Sequence, residues 1–576
     1  MSRRLAVILG AGFLLRVAYV LLSPRFDPAF AAPILDGAYY VEAARVLTSG
    51  GAPAGVYYMP PLYPWALAIF FRVFGEAWTI LFVLQQLAVV ATAGLLAGVA
   101  RKAAGEGAGL STAALLLLYH PPMFFAARPL GEALGLLLLA LSVSFASREG
   151  ERAGVVAGLG LGLASLARPN FLPLAPLWAA GDVARRRTRR GSLLLGAVLL
   201  MILPAMWHNF AAAPGHVVPV SANGGVVFWL GNAPGAIGVY TPTSGFTGAL
   251  RTQQQEAMTE ASARSGRALD AVESDGFWWR EGMRARVADP GGTIALFLRR
   301  ALLTVDTAEH GLDYAPALDA NPLRFATPLP FAVLLGLAAF GVAAIGLSRT
   351  GGFALWSAVA VAAAAPLVFY VSSRHRLPVA CLLAVPAGAG LAALRDTRRV
   401  WPYVAGVGAL ALSLGAPSGD LIRTEKSAAL SLRATVEYKS GRLEVAAASA
   451  LAATEVDPAN AIAWFNRGII AAARGRRDDA EQAYRTALAA DPEQPDAAAN
   501  LARILVETGR ASQAPAALEK ALAAWPRHTV GWTNLVVAYA ASGDGARAKE
   551  AVHRAASAGV VLDPGLVATV EGSKAP

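Results

Sequence analysis

The sequence predicts an all-α protein in two parts, a polytopic transmembrane bundle followed by a helical repeat solenoid. Three observations carry this. Apolar stretches long enough to cross a bilayer, about 17–25 residues each, recur through the first 416 residues. Only 15% of the 576 residues are charged, where a soluble chain carries about a quarter. Beyond residue 420 the composition turns Ala-rich and charged, with landmarks recurring every 34 residues.

The expected spans, about eleven, lie near 5–22, 78–100, 109–127, 130–147, 153–167, 170–184, 191–207, 327–347, 353–371, 378–394 and 401–416. The first follows Arg3 and Arg4 without a clean small-residue cleavage site, and reads as a retained helix. Pro61–Phe74 is apolar but short and contains Pro64 and Arg72; it reads as a helix lying at the interface. Basic residues then gather in alternate connections: Arg3 and Arg4, Arg101 and Lys102, Arg148 and Arg152, the run Arg185–Arg190, Arg349, and Arg395, Arg398 and Arg399. That side is expected to be cytoplasmic. Asp36, the long segment 208–326 and everything after residue 416 then face outward, which for a bacterial inner membrane is the periplasm. The net charge of +11 is explained by these topology signals, and no nucleic-acid motif accompanies it. The single cysteine, Cys381, lies in an apolar run and excludes an internal disulfide framework.

The membrane part is taken as 1–416, a linker as 417–426, repeats as 427–560 and a tail as 561–576. Gly441, Gly475, Gly509 and Gly543 are 34 residues apart, as are Pro458, Pro492 and Pro526. Within one unit Trp464, Gly468, Ala480, Tyr484 and Ala487 fit the tetratricopeptide pattern of two antiparallel helices. Such a solenoid presents a concave surface to a protein or peptide partner.

Charges in the outward connections are the candidate site. Arg128 and Glu132, Arg168, and Arg374, His375 and Arg376 each sit at the outer end of a span, and Arg16 lies inside the first. A charge at such depth is a functional-site hypothesis, with snorkelling to the interface as the alternative for Arg16. Several converging guanidinium groups suit a phosphate, so Arg16, Arg128, Arg168, Arg374 and Arg376 are candidates to hold one. A carboxylate beside them, Asp36, suits general-base work on a hydroxyl. For Asp36 and Glu132 the structural alternative is a favourable negative charge at a helix N-terminus.

Four blocks resemble the GT-C class of polytopic glycosyltransferases, in the branch of protein O-mannosyltransferases and the aminoarabinose transferase of lipid A. They are LDGAYYVEAARVLTSG with YYMPPLYPWALAIFFRVFG, LLLYHPPMFFAARPLGEALGLLLLAL, GLGLGLASLARPNFLPLAPL and FYVSSRHRLPVACLL. The resemblance covers roughly residues 5–400. It implies an inverting transfer of a sugar from a polyprenyl-phosphate donor to a protein, lipid or glycan hydroxyl, with Asp36 as the catalytic acidic residue. Related mannosyltransferases often carry Asp-Glu there, where this chain has Asp36-Gly37, so Glu42 enters as a candidate. Glu132 and His375 are further candidates for substrate contact. So are Asn232 and Glu309, in SANGGVVFWLGNAPGAIGVYTP and TAEHGLDYAPAL, which resemble stretches of bacterial members that also carry tetratricopeptide repeats; Asp313 lies in the second stretch. A divalent metal is open: Asp36, Glu132 and His120 are the residues that could ligate one, without a spacing signature. Two other readings stand beside this one, a transporter or flippase for a lipid-linked anion and an inactive membrane scaffold presenting its repeats.

Overall fold

The computed structural model describes residues 2–240, 246, 250–312, 314–416 and 418–572. It divides into two compact units, Met1–Ser418 and Gly419–Pro576. Among the described residues β structure is limited to two isolated bridges, Tyr119 with Leu329 and Val239 with Val371.

In the first unit α1 (Arg3–Phe26) is followed by two helices that do not lengthen the bundle, α2 (Leu35–Thr48) and α3 (Leu62–Phe74). Then come α4 (Trp78–Ala104), α5 (Glu106–Leu118), the short α6 (His120–Phe125), α7 (Glu132–Ala146), α8 (Glu151–Ala167), α9 (Leu174–Ala184) and α10 (Thr188–Ala212). The long expected loop is itself helical, with α11 (Gly224–Asn232), α12 (Leu250–Ser265), α13 (Ala271–Ala288) and α14 (Pro290–Val305). The bundle closes with α15 (Phe331–Ile345), α16 (Gly352–Val368), α17 (Ser373–Ala393) and α18 (Trp401–Leu414). A helix thus occupies each expected span. Among the described residues α1, α4, α10 and α17 are each long and apolar enough to cross a bilayer on length and composition alone, and the bent pair Trp401–Leu414 and Gly419–Lys439 passes the same test together.

The helix α3 starts and ends at one end of the bundle. The Tyr63 hydroxyl donates to Gln85 at 2.6 Å, Phe71 packs edge-on to Trp78, and both partners lie in the first turns of α4. The 109–127 span, expected as one helix, breaks at Tyr119. Proline has no N–H to give, so Pro121 and Pro122 leave the carbonyls of Leu117 and Leu118 without their helical donors. The Leu329 N–H takes Leu118 at 3.2 Å, and the buried Arg16 guanidinium takes Leu117 at 3.0 Å. Arg16 is therefore a cap for a broken helix.

Small residues let α15 and α17 touch backbone to backbone, as packed membrane helices do. A Cβ on Gly341 would lie 2.3 Å from the Pro386 carbonyl, and one on Gly390 would lie 2.4 Å from that of Leu337. Gly341→Leu is expected to cost about 2–3 kcal/mol through overpacking, visible as a lower thermal midpoint of the detergent-solubilised protein.

The second unit is a stack of antiparallel pairs: α19 (Gly419–Lys439) with α20 (Leu443–Val456), α21 (Ala461–Ala473) with α22 (Arg477–Ala490), α23 (Pro495–Glu507) with α24 (Pro515–Ala524), and α25 (Thr529–Ala541) with α26 (Gly545–Ser557). The four glycines at the 34-residue period have φ of 73–82° and make the turn inside each pair, a conformation glycine adopts without penalty. Tyr484 fills the space over Gly468, whose Cβ would meet the ring at 2.5 Å. Residues 419–426, expected as linker, form the first two turns of α19; Pro417 lies outside the described residues. The expected tail carries α27 (Pro564–Gly572), which buries Val570 against the last repeat.

Candidate active site

The helices of the first unit gather charged side chains at both of their ends. At one end Lys102 donates to the Ser147 carbonyl at 2.7 Å, Arg187 pairs with Glu149 at 2.7 Å, and Arg190 pairs with Asp182. At the other end the first turns of α2, α7 and α17 and the last turn of α8 surround a cavity of about 300 Å³, lined by Asp36, Glu132, Arg168, Arg374 and His375.

Local sequence explains how each side chain arrives there. Asp36 stands in the first turn of α2, just after Leu35, whose φ of 44° is rare for a residue with a side chain and costs about 1–3 kcal/mol. Pro169 forces Arg168 into extended backbone (φ −147°), which ends α8 and turns the guanidinium across the cavity. Ser372 caps α17 by accepting from the His375 N–H at 3.2 Å and so opens the helix at Ser373, one residue before Arg374.

The four charges form one chain of contacts. Arg374 donates from Nη1 to Asp36 at 2.7 Å and from Nε to Glu132 Oε1 at 2.8 Å; Arg168 donates to the same Glu132 oxygen at 2.8 Å. Glu132 keeps 3% of its side chain exposed and Asp36 keeps 18%, so Glu132 is the buried hub and Asp36 the carboxylate a substrate can reach. His375 donates from Nδ1 to the Tyr370 carbonyl, 3.0 Å away. The segment 223–253 contributes Asn223, Tyr240 and Gln253 to the wall, and Tyr40 and Tyr370 complete it. Tyr40, Tyr370, Asn223 and Tyr240 lie inside the blocks that carry the family resemblance, but nothing in the sequence singled them out, and Gln253 lies outside those blocks; they become visible as a wall only when distant segments meet.

The other predicted residues lie elsewhere. Arg128 pairs with Asp27 at 2.6 Å, donates to the Phe124 carbonyl at 2.8 Å and stacks on the Phe124 ring, fastening α6 to the end of α1. Arg376 reaches the carbonyls of Asp306 and Ala308 and pairs with Glu309 at 2.9 Å. Glu309 also accepts from the Tyr119 hydroxyl at 2.7 Å. Asn232 bonds the carbonyls of Phe228 and Val368 and the Arg300 guanidinium. Glu42 is exposed and pairs with Arg251. Arg16, Arg128, Arg376, Asn232 and Glu309 thus spend their polar atoms on the protein's own structure, and with Glu42 they do not line the cavity. Asp313 lies outside the described residues. Among the described residues no group of three or more His, Cys, Asp and Glu could hold a metal ion. His120 faces Asp319 at 3.0 Å and Thr327 at 3.0 Å, away from Asp36 and Glu132.

Gly37 has a steric reason. A Cβ there would lie 3.0 Å from the Tyr314 hydroxyl and 3.1 Å from Pro129 Cγ. Gly37→Glu, which creates the Asp-Glu pair that the resemblance implies, is expected to lower stability by about 1–3 kcal/mol, read as a lower unfolding temperature.

Above the cavity Asp275 on α13 accepts from the Gly225 N–H at 2.7 Å and holds the start of α11. Burial pushes this carboxyl up from 3.8 to about 6, against the pull of the Gly225 and Val226 N–H groups. The folded state therefore holds the proton more tightly than the unfolded chain. Stability from this group is fully present below about 4 and is lost as pH rises through about 6. Amide-exchange protection of α11, corrected for intrinsic rates, should fall across that window, and Asp275→Asn should flatten the dependence.

Two family models match parts of the chain, and together they support a membrane glycosyltransferase of the GT-C type with C-terminal tetratricopeptide repeats. Residues 58–208 match the family model of dolichyl-phosphate-mannose-protein mannosyltransferases, and residues 432–495 and 471–529 match the tetratricopeptide repeat. The first match includes Glu132 and Arg168, while Asp36 and Arg374 lie beyond its ends. No curated protein matches the chain. The crystal structure of MamA protein aligns with 30% of this chain and 92% of that chain, at 18% identity and a TM-score of 0.22.

Proposed function

We propose that the cavity transfers a sugar from a polyprenyl-phosphate donor to an acceptor hydroxyl on the outer, periplasmic face of a bacterial inner membrane. The observation that carries this reading is the convergence of one reachable carboxylate, Asp36, with two arginines, Arg168 and Arg374, around one cavity. Asp36 takes the proton of the acceptor hydroxyl while that oxygen bonds to the anomeric carbon from the side opposite the phosphate. The bond from carbon to phosphate oxygen breaks, the configuration inverts, and Arg168 and Arg374 neutralise the charge that develops on the departing polyprenyl phosphate. Stabilisation of charge where it develops is often the largest catalytic contribution.

Donor binding also changes Asp36. In the structure Arg374 divides its donors between Asp36 and Glu132; a phosphate that draws Nη1 away leaves Asp36 free to act as a base. Glu132 Oε2, buried without a hydrogen-bond partner, is available to a substrate hydroxyl. The isoprenoid chain of the donor lies among the helices in lipid. The repeats engage a protein or peptide, either the acceptor or a partner.

Membranes containing the full-length protein, supplied with a labelled polyprenyl-phosphate sugar or the matching nucleotide sugar, test the donor class. Transfer from the first is expected; turnover of the nucleotide sugar alone overturns the reading. For the face, Ala473→Cys in a Cys381→Ser background should label with an impermeant thiol reagent in intact spheroplasts, and labelling only after lysis would invert the topology.

A further inference from the structure

A second, larger cavity, of about 1070 Å³, lies at the opposite end of the helices. It is framed by the last turns of α4, α7 and α9, the start of α10 and the turn that opens α16. Seven basic side chains line it against two carboxylates. Both carboxylates are taken, Asp182 by Arg190 and Glu149 by Arg187. The other five cations have no carboxylate within the cavity. Lys102 and Arg185 donate to the carbonyls of Ser147 and Gly181, at 2.7 and 2.8 Å, and Arg185 also lies over the Phe353 ring. Arg148 lies over the Phe145 ring, and Arg101 finds only Glu106, 3.9 Å away and outside the cavity. Among the described residues Arg349 has no hydrogen-bond or ion-pair partner.

Carbonyl and ring contacts orient these cations without cancelling their charge. The positive-inside tendency explains why basic residues occur at this end, but not why five of them converge on one hollow. Arg395, Arg398 and Arg399 follow the same tendency and do not line it. The start of α16 has no side-chain cap and borders the cavity as well, where Phe353 and Ala354 add main-chain donors. Trp178 and Phe353 supply apolar wall beside the charges.

We propose that this cavity binds the phosphate headgroup of an anionic membrane lipid. Guanidinium groups match phosphate oxygens in pairs. The site lies at the ends of apolar helices, the kind of place where basic pockets between membrane helices select anionic lipids. The assignment does not depend on the donor chemistry at the other end.

The full-length protein and two double variants test it: Arg148→Gln with Arg349→Gln inside the cavity, and Arg395→Gln with Arg398→Gln outside it. Each is purified in neutral detergent and titrated with phosphatidylglycerol, with phosphatidylcholine and with inorganic pyrophosphate, and bound ligand is counted by native mass spectrometry. The wild type is expected to retain phosphatidylglycerol over phosphatidylcholine. The cavity variant should retain it at least about tenfold more weakly, since one basic residue near an anionic surface contributes roughly fivefold; the outer variant should stay within about twofold. Equal losses in both variants, or no preference between the lipids, overturn the proposal. Pyrophosphate binding that depends on the cavity residues, without phosphatidylglycerol binding, makes the ligand a soluble phosphate and overturns the lipid assignment. If the cavity double variant does not fold, Arg349→Gln alone is expected to weaken retention about fivefold.

Discussion

Asp36→Asn is expected to lower sugar transfer by about 10²–10⁴-fold, the range a positioned general base contributes, while leaving the protein folded. Asparagine keeps the size of the side chain and an oxygen that can still accept from Arg374, which stands 2.7 Å from the native carboxylate. The loss should fall on kcat, with KM for the donor nearly unchanged, because the missing function is proton removal during attack. Two other roles give different results. A residue that only favours the N-terminus of α2 would cost about 0.3–1 kcal/mol of stability and little rate. A residue that only orients Arg374 would raise donor KM. Transfer assays on membranes with equal amounts of each protein, together with thermal unfolding, separate the three outcomes.

Glu132→Gln should act on stability first, and strongly. Glu132 Oε1 accepts from both Arg168 and Arg374 at 2.8 Å, and its side chain is 3% exposed. Removing one partner of a buried ion pair leaves the other uncompensated and costs about 3–5 kcal/mol; here two arginines are left facing an amide. The unfolding temperature and the yield of detergent-soluble protein should drop together. Adding Arg168→Gln to Glu132→Gln should cost less than the sum of the single changes, since the second removes a charge the first has stranded. If Glu132 served α7 only as a first-turn carboxylate, the single change would cost under about 1 kcal/mol and the two substitutions would add.

The reading of the arginines shows where sequence reasoning stops. From the sequence Arg128, Arg168, Arg374 and Arg376 are candidates to hold a phosphate, and the structure supplies internal carboxylates: Asp27 for Arg128, Glu132 for Arg168, Asp36 and Glu132 for Arg374, and Glu309 for Arg376. Arg374 and Arg376 looked equivalent as neighbours in one connection. They stand instead in the first turn of α17, where residues two apart point about 200° from each other. Arg374 therefore meets the cavity and Arg376 the loop at 306–309. Arg16 looked like a misplaced charge because its partner, the Leu117 carbonyl, is 101 residues away in sequence and is freed by the two prolines that follow it.

Solvent and periodicity are local properties, and the sequence alone determined what depends on them. A run of apolar residues must meet lipid, a 34-residue period must stack as helix pairs, and a basic connection resists crossing the membrane; spans, repeats and the expected sidedness follow from these. Which charges share a cavity depends on contacts between residues as far apart as Asp36 and Arg374, and on the turn angle at which each helix begins. Only the tertiary structure decided that Asp36, Glu132, Arg168 and Arg374 form one constellation and that Arg16, Arg128 and Arg376 serve the scaffold, because charge pairing inside a bundle is set by where helix ends meet and not by distance along the chain.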